Sequence, residues 1–390
     1  MGPDLVNACI FCAGMLLGMD LAPRNGLGAE LGFSYATLAR RYEVQDVRVD
    51  TSDVTPKFLL AGMGWARPPA GDLGAGTPEL EWRIRVALAT SHDQQELKPD
   101  PDFGITPIVT DGTGRYENFS LLGRLPIGAR DSVEIAGERR SNKATDLINI
   151  GGSNQTFSES REISAERNDF VVGWRHRWTG LEAEGAFRIA KVSGFNATAN
   201  SFQHASGVIY GGEAEARWRP GPWTFVLHGE RTSGDIDVHR ESQPDFHDRD
   251  SSLPALLSAV RAGVAYSWPR TQVMLTGTYG RETLPFVALA PTGTETVAYD
   301  DGYDPKSVND QFYGDVVVRY AFTPAIRVRL GLRMAWGDET LTLTDSSGAR
   351  PTRTLDIHRR GIFGGSLSDP LGSPEFGFYL GADFAVGTPK

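Results

Sequence analysis

The chain has 390 residues, a formal net charge of −10 and a hydrophobic content of 40%. The acidic balance argues against nucleic acid as a partner, because phosphate binding requires a basic surface. A bundle of transmembrane helices is excluded as well, since such helices need apolar runs of about 20 residues and the chain has none.

The N-terminal stretch LVNACIFCAGMLLGM, Leu5 to Met19, is apolar and resembles the hydrophobic region of a signal peptide. Its N-terminal flank is atypical, because it has Asp4 but no Lys or Arg. Cys9 and Cys12 lie within this stretch, without the second cysteine pair of a zinc site. We expect residues 1–24 to be a signal peptide and residues 25–390 to form a single domain.

From residue 26 onward, large apolar residues alternate with polar residues at a period of two, which predicts β-strands. The stretch EWRIRVAL, residues 81–88, is one example. Few helical patterns lie between such stretches, so an α/β fold is excluded. About fourteen segments follow the pattern, most of them about 10 to 14 residues long, which exceeds the usual strand: 27–43, 56–67, 79–92, 116–125, 131–140, 168–178, 181–193, 206–219, 222–234, 256–268, 271–282, 311–322, 326–338 and 374–387.

The connectors between these segments alternate between short and long. The short connectors are 126–130, 179–180, 220–221, 269–270 and 323–325, with 68–78 as a longer member. The long connectors are 44–54, 93–115, 141–166, 194–205, 235–255, 283–310 and 339–373. A barrel inserted through a membrane explains this alternation, with short periplasmic turns at one end and long extracellular loops at the other.

Aromatic residues cluster beside the short connectors, where a membrane interface would lie. The predicted aromatic girdle consists of Trp178, Trp218, Trp223, Trp268 and Tyr320. Together with the alternating strands and the aromatic-rich final segment GFYLGADFAV, it resembles the bacterial outer-membrane β-barrel class, which is porin-like, without indicating a specific family. The resemblance implies an all-β, transmembrane, up-and-down antiparallel β-barrel of about 14 strands in the bacterial outer membrane. Its implied partners are outer-membrane lipid and the barrel-assembly machinery.

If the apolar faces meet lipid, the charged faces line the interior. The candidate lumen and selectivity residues are then Arg83, Arg85, Arg175, Arg177, Glu182, Glu184, Arg188, Glu213, Glu215, Arg217, Asp315, Arg319, Arg327, Arg329 and Arg333. These charges either form cross-strand ion pairs that brace the wall or form charged rings that select solutes. Arg327, Arg329 and Arg333 share one strand and are the favoured selectivity residues, since Asp315 neutralises only part of their charge.

The pattern favours an outer-membrane pore for passive diffusion of small polar or charged solutes. One alternative is a non-conducting surface protein for adhesion or binding, and a second is a membrane-embedded hydrolase. For the hydrolase, the nearest motif is His204-Ala205-Ser206, in a predicted loop and without a third member. Phosphate-binding loops and H-E-x-x-H are absent from the sequence, so we expect no enzyme activity, no cofactor and no metal. The oligomeric state is left open.

Overall fold

The computed structural model describes residues 25–44, 47–66, 81–97, 108–150, 157–197, 201–242, 249–284, 303–345, 353–361 and 378–385. These residues form strands and the tight turns that join some of them. The strands are β1 (Asn25–Val44), β2 (Val47–Ala66), β3 (Glu81–Leu97), β4 (Ile108–Pro126), β5 (Asp131–Ile150), β6 (Phe157–Arg177), β7 (Leu181–Ala197), β8 (Ser201–Trp218), β9 (Trp223–Ser242), β10 (Arg249–Ser267), β11 (Thr271–Leu284), β12 (Tyr303–Thr323), β13 (Ile326–Asp345), β14 (Arg353–Gly361) and β15 (Phe378–Ala385).

The strands form one antiparallel sheet that closes on itself. Each strand from β1 to β12 pairs with the strand that follows it in the sequence, so consecutive pairing extends from β1 to β13. Both β14 and β15 pair with β13 on one side and with β1 on the other. On β1 they occupy successive stretches, Thr37–Glu43 opposite β14 and Gly26–Phe33 opposite β15. Together β14 and β15 therefore fill the fourteenth position of an up-and-down barrel, which confirms the predicted fold class.

Most strands extend further than the alternation predicts. The predicted connector 141–166 is strand except for residues 151–156, and the predicted connector 44–54 leaves only residues 45–46 between β1 and β2. The whole of β14 lies inside the predicted connector 339–373. These extensions were not predicted because a strand leaves the lipid after about 9 to 11 residues, beyond which its outer face no longer has to be apolar.

The tight turns that the structure describes lie at one end of the barrel. They connect β4 to β5, β6 to β7, β8 to β9, β10 to β11 and β12 to β13. In the turn after β6, the Trp178 amide donates to the Leu181 carbonyl over 2.7 Å, and Gly180 has a φ of 77°. Glycine adopts this left-handed conformation without the steric cost of a side chain. The sequence GWRHRWTGLEAEGAFRIAKVSG, Gly173 to Gly194, thus forms a hairpin centred on Thr179-Gly180.

Among the residues that the structure describes, no helix is long and apolar enough to cross a membrane.

Residues 1–24 lie outside the described residues, and so do Cys9 and Cys12. The signal peptide and the single-domain assignment of residues 25–390 therefore stay predictions.

Candidate functional site

The half of the barrel next to the tight turns is apolar outside and charged inside. On the hairpin of β6 and β7, the side chains of Trp174, Phe187 and Ile189 are 48%, 51% and 44% exposed on the outer surface. The intervening Arg175 and Arg188 face the interior and are buried. A soluble protein would place these charges in water and these rings in its core. Because the distribution is reversed here, the surroundings of this half of the barrel are apolar, as in a lipid bilayer.

Aromatic side chains surround the outer surface at the level of the tight turns. Trp178, Trp218, Trp223, Trp268 and Tyr320 are all exposed there. The rings of Trp223 and Trp268 each pack edge-on against Tyr266, with centroid distances of 4.7 and 4.4 Å. Indole and phenol rings favour the boundary between hydrocarbon and water because they combine an apolar body with a polar group.

The interior nearest the turns carries a continuous series of ion pairs, which we call the charged belt. It consists of equal numbers of arginines and glutamates: Arg83, Glu81, Arg124, Glu134, Arg175, Glu182, Glu184, Arg217, Glu215 and Arg261. The signs alternate along the belt as it passes from β3 to β10. Most carboxylates of the belt contact two guanidinium groups, so the charges are neutralised locally.

Glu182 shows how closely the belt is connected. Its Oε1 lies 3.1 Å from Arg175 Nη1 and 3.0 Å from Arg217 Nη1, while its Oε2 accepts a hydrogen bond of 3.0 Å from Arg177 Nε. Arg175 also reaches Glu184 on the neighbouring strand, at 2.5 Å. Burying a charge is costly unless it is paired and hydrogen-bonded, and these contacts satisfy that requirement.

A second tier of polar contacts lies further from the turns than the charged belt, by two to six residues along each strand. Arg188 Nη2 donates to Glu213 Oε2 over 2.9 Å, and Arg188 Nη1 lies 3.4 Å from Asp169 Oδ1. On β3 to β5, Asn118 Nδ2 donates to Glu138 Oε1 over 2.5 Å, and Asn118 Oδ1 accepts a hydrogen bond of 3.3 Å from Arg85 Nη1.

The sector formed by β11, β12 and β13 contains the remaining predicted lumen residues. Arg319 and Arg329 are direct cross-strand partners, and Arg319 Nη1 donates to the neutral amide oxygen of Gln272 over 3.0 Å. Asp315 lies opposite Arg333 and accepts a hydrogen bond of 3.2 Å from Thr276 Oγ1. Arg327 is partly exposed. The side chain of Arg333 lies outside the described residues, so only its strand position is known.

Further from the turns, on β7 to β10, the two faces exchange polarity. The interior there is a dry cluster that we call the apolar interior, formed by Ala190, Val192, Ala205, Ile209, Ile236, Val238, Ala255 and Leu257. None of its members is more than 4% exposed. The outer face at this level carries exposed polar side chains, among them Lys191, Asp235 and Asp237. This part of the barrel therefore has the polarity of a protein in water.

Glycines make room for the apolar interior. A Cβ at Gly234 would lie 2.9 Å from Ile209 Cα, and a Cβ at Gly207 would lie 3.2 Å from Ile236 Cγ1. At both positions the nearest atoms are backbone atoms, the carbonyl oxygens of Val208 and Asp235 respectively, so each glycine lets the backbone of the paired strand approach more closely than a side chain would allow. This close approach is the reason that glycine occupies these two strand positions.

Sequence reasoning assigned the lumen set to the inner face, where Arg83, Arg175 and Glu182 are buried, whereas Arg177 is exposed beside the turn. It missed several partners of these residues. Arg124 and Asn118 share the inward phase of β4, and Arg167 and Asp169 share that of β6. Arg124 lies within the predicted strand 116–125, an even number of residues from Asn118, so the alternation of that strand already places it on the inner face. Arg167 lies just outside the predicted bounds of its strand, so the pattern as scanned could not include it.

The motif proposed for a hydrolase takes a different form in the structure. His204 and Ser206 belong to β8 rather than to a loop, and His204 is exposed on the outer face while Ala205 is buried. His204 lies directly opposite His239 on β9. The predicted loop location was therefore wrong.

No family model matches the chain, and no curated protein matches it. Among solved structures, the chain is similar to a mutant of the TodX monoaromatic hydrocarbon channel, with 10% identity over 94% of this chain and 93% of that chain and a TM-score of 0.49. A Pseudomonas aeruginosa FadL homologue has 10% identity over 92% of this chain and 90% of that chain, with a TM-score of 0.46. The translocator domain of the autotransporter NalP from Neisseria meningitidis has 8% identity over 98% of this chain and 97% of that chain, with a TM-score of 0.41.

The closed strand order and the reversed polarity together define the class of protein. In hydrocarbon every backbone amide and carbonyl needs a partner within the protein, and a closed barrel of strands provides one without leaving a free edge. The apolar outer surface, the aromatic girdle and the charged interior are the features of an outer-membrane β-barrel. The chain is therefore an outer-membrane β-barrel, located in the bacterial outer membrane and in contact with its lipid.

Proposed function

We propose that the chain is an outer-membrane channel that lets small polar or charged solutes diffuse along the charged half of its interior. The observation that carries this proposal is the direction of the ion pairs. Every pair of the charged belt joins residues on the same strand, on neighbouring strands or on next-but-one strands. Contacts of this kind run along the wall and line a passage.

The width of the barrel supports the same proposal. Barrels of about 8 strands are filled by their own side chains, whereas barrels of about 16 to 18 strands contain an aqueous channel. A barrel with fourteen strand positions lies near the upper end of this interval. Side chains that pair sideways along such a wall do not themselves cross the axis, and this arrangement supports the proposal of a narrow path.

The distribution of charge favours anions in one sector of this path. Arg319 on β12 and Arg327 and Arg329 on β13 place three guanidinium groups on two neighbouring strands. A ring or ladder of arginines favours anions in a pore. We therefore assign Arg327 and Arg329 to the selectivity of the channel.

Conductance in planar lipid bilayers tests the proposal. The wild-type protein is expected to give discrete conductance steps, and its reversal potential in a salt gradient is expected to indicate anion preference. The double variant Arg327→Gln/Arg329→Gln is expected to conduct with its preference shifted toward cations. Arg139→Gln is the matched control, because Arg139 is exposed on the outer face, where it pairs with Glu166.

A barrel that inserts and stays silent would overturn the channel, and an unchanged reversal potential in the double variant would remove these arginines from the path. A silent barrel would favour the second candidate function, a non-conducting surface protein for adhesion or binding. That candidate is favoured by the burial of the belt, since Arg175 and Arg217 are only 3% and 2% exposed. Side chains that border a wide aqueous pore would be more accessible to water.

A further inference from the structure

Three potential metal ligands meet on the inner wall at the level of the second tier. Glu213 on β8 and His228 and Glu230 on β9 each offer a ligand atom, and these atoms lie within 4.8 Å of one another. The strand register creates this arrangement. Glu213 is the direct cross-strand partner of Glu230, and His228 is the partner of Glu215, so all four side chains point to the same face.

The imidazole of His228 is held on one side only. Its Nδ1 lies 3.5 Å from Glu215 Oε2, while its Nε2 is buried and has no hydrogen-bond partner. The nearest carboxylate oxygen of Glu230 is 3.9 Å from Nε2, beyond hydrogen-bonding distance. The residue is only 6% exposed, and buried polar groups in folded proteins are almost always satisfied.

The contacts of the histidine match those of a metal ligand. A metal-ligating histidine usually directs one ring nitrogen at a carboxylate and binds the ion with the other. Here Glu215 is the carboxylate on the Nδ1 side, and Nε2 points into the cluster that contains Glu230. Glu215 is itself fixed by Arg261 Nη2, at 3.1 Å.

Charge points to a cation at the same place. Like charges directly opposite each other across two strands are destabilising, and Glu213 faces Glu230 in this way. Arg188 Nη2 lies 2.9 Å from Glu213 Oε2, and its Nη1 lies 3.4 Å from Asp169 Oδ1. A divalent cation placed between Glu213 and Glu230 would be attracted by both carboxylates and would give the His228 Nε2 atom its missing partner.

We propose that Glu213, His228 and Glu230 bind one divalent transition-metal ion of the Zn²⁺ type in the interior of the barrel. One imidazole nitrogen and two carboxylates form a donor set suited to zinc, whereas calcium and magnesium prefer oxygen alone. Zinc ligands lie about 2.0–2.2 Å from the ion, so the three side chains must close by small rotations from their present separation. The site is independent of conduction and does not rest on the proposed channel.

No metal-binding spacing is visible in the sequence, because the three ligands come from two different strands. His228 and Glu230 are two residues apart on β9, and Glu213 precedes them on β8. Only the pairing of Glu213 with Glu230 completes the set.

Calorimetric titration with Zn²⁺ alone tests the site. The purified full chain, without a histidine tag and after treatment with a chelator, is expected to bind one equivalent. His228→Asn and Glu230→Gln are each expected to weaken binding at least tenfold. His176→Asn is the matched control, because His176 also contacts a carboxylate, with 2.8 Å between its Nδ1 and Asp131 Oδ1, but lies at the end of β6 outside the cluster.

Absence of binding, or an affinity that is unchanged in both His228→Asn and Glu230→Gln, would overturn the site. Folding of each variant is checked by its heat-dependent migration in gels. If the variants do not fold, a second measurement on the wild-type protein alone still tests whether a histidine binds Zn²⁺. The zinc-edge X-ray absorption spectrum of the wild-type protein with one equivalent of Zn²⁺ should show nitrogen and oxygen ligands at about 2.0–2.2 Å that include an imidazole, whereas a shell of oxygen ligands alone would overturn the proposal.

Discussion

Two halves of the same four strands, β7 to β10, differ in which face is polar. Next to the tight turns, β7 directs Glu182 and Arg188 inward and exposes Phe187 outward. A few residues later the same strand directs Ala190 and Val192 inward and exposes Lys191 outward. The alternation of side chains continues without a shift in phase, so the backbone is not the cause of the difference.

The comparison shows that the medium around the barrel decides the polarity of each face. Where lipid surrounds the wall, apolar side chains are stable outside, and charged groups are kept inside in ion pairs. Where water surrounds the wall, charged side chains are stable outside, and the inner face of β7 to β10 is packed with apolar side chains. One strand can therefore combine the design of a membrane barrel with that of a water-soluble barrel.

The largest expected effect comes from breaking the charged belt. Glu182→Gln should lower the free energy of unfolding by up to about 3–5 kcal/mol, because removing one member of a buried ion pair leaves its partner uncompensated. Arg175 and Arg217 are those partners. Urea titration in detergent micelles measures the change.

Glu166→Gln is the control for the belt, since Glu166 pairs with Arg139 on the exposed outer face at 3.1 Å. Exposed pairs contribute about 0–1 kcal/mol. Equal losses in Glu166→Gln and Glu182→Gln would show that burial of the belt has no energetic consequence.

The apolar interior should respond to loss of volume rather than to loss of charge. Ile236→Ala should lower the free energy of unfolding by roughly 2–5 kcal/mol, because it leaves a cavity among fully buried side chains. Leu227→Ala on the same strand is the control, since Leu227 is 58% exposed to the lipid, which can fill the space. The idea of a dry core would fail if both variants unfolded at the same urea concentration.

A smaller effect is expected where two strand backbones approach each other closely at a glycine. Gly234→Ala should lower the free energy of unfolding by about 1–3 kcal/mol, because its Cβ would overlap the Val208 carbonyl oxygen and crowd Ile209 Cα. Gly277→Ala in β11 is the matched control, because a Cβ there would meet nothing within 4 Å. Thermal unfolding of both variants compares them, and a midpoint for Gly234→Ala at or above that of Gly277→Ala would contradict the close approach.

The smallest effect is expected in the tight turns. Gly180→Ala should cost about 1–2 kcal/mol because Gly180 has a positive φ, which alanine adopts only with strain. Gly128→Ala tests the same replacement in the turn between β4 and β5, where a Cβ would meet only Asp131 Oδ2 at 3.9 Å. Denaturation curves that coincide for the two variants would argue against strain at Gly180.

Much of the barrel could be predicted from the sequence because lipid imposes a strict pattern. The alternation at residues 181–189 and the turn at Thr179-Gly180 correctly predicted a hairpin, and the inward phase of Arg175 and Glu182 followed from it. The prediction weakened where the strands leave the membrane, as at Ile236, because apolar residues there face inward instead of outward.

The sequence by itself determined the strands that cross the membrane, the tight turns and the inward face of charges such as Arg175 and Glu182, since these follow from local alternation and from the cost of placing charge in lipid. Only the tertiary structure decided which charges meet. Glu182 contacts Arg217, and Glu213 faces Glu230, through the register of paired strands. Closure of the barrel by β14 and β15 in tandem likewise depends on pairing between residues far apart in the chain, which no local pattern encodes.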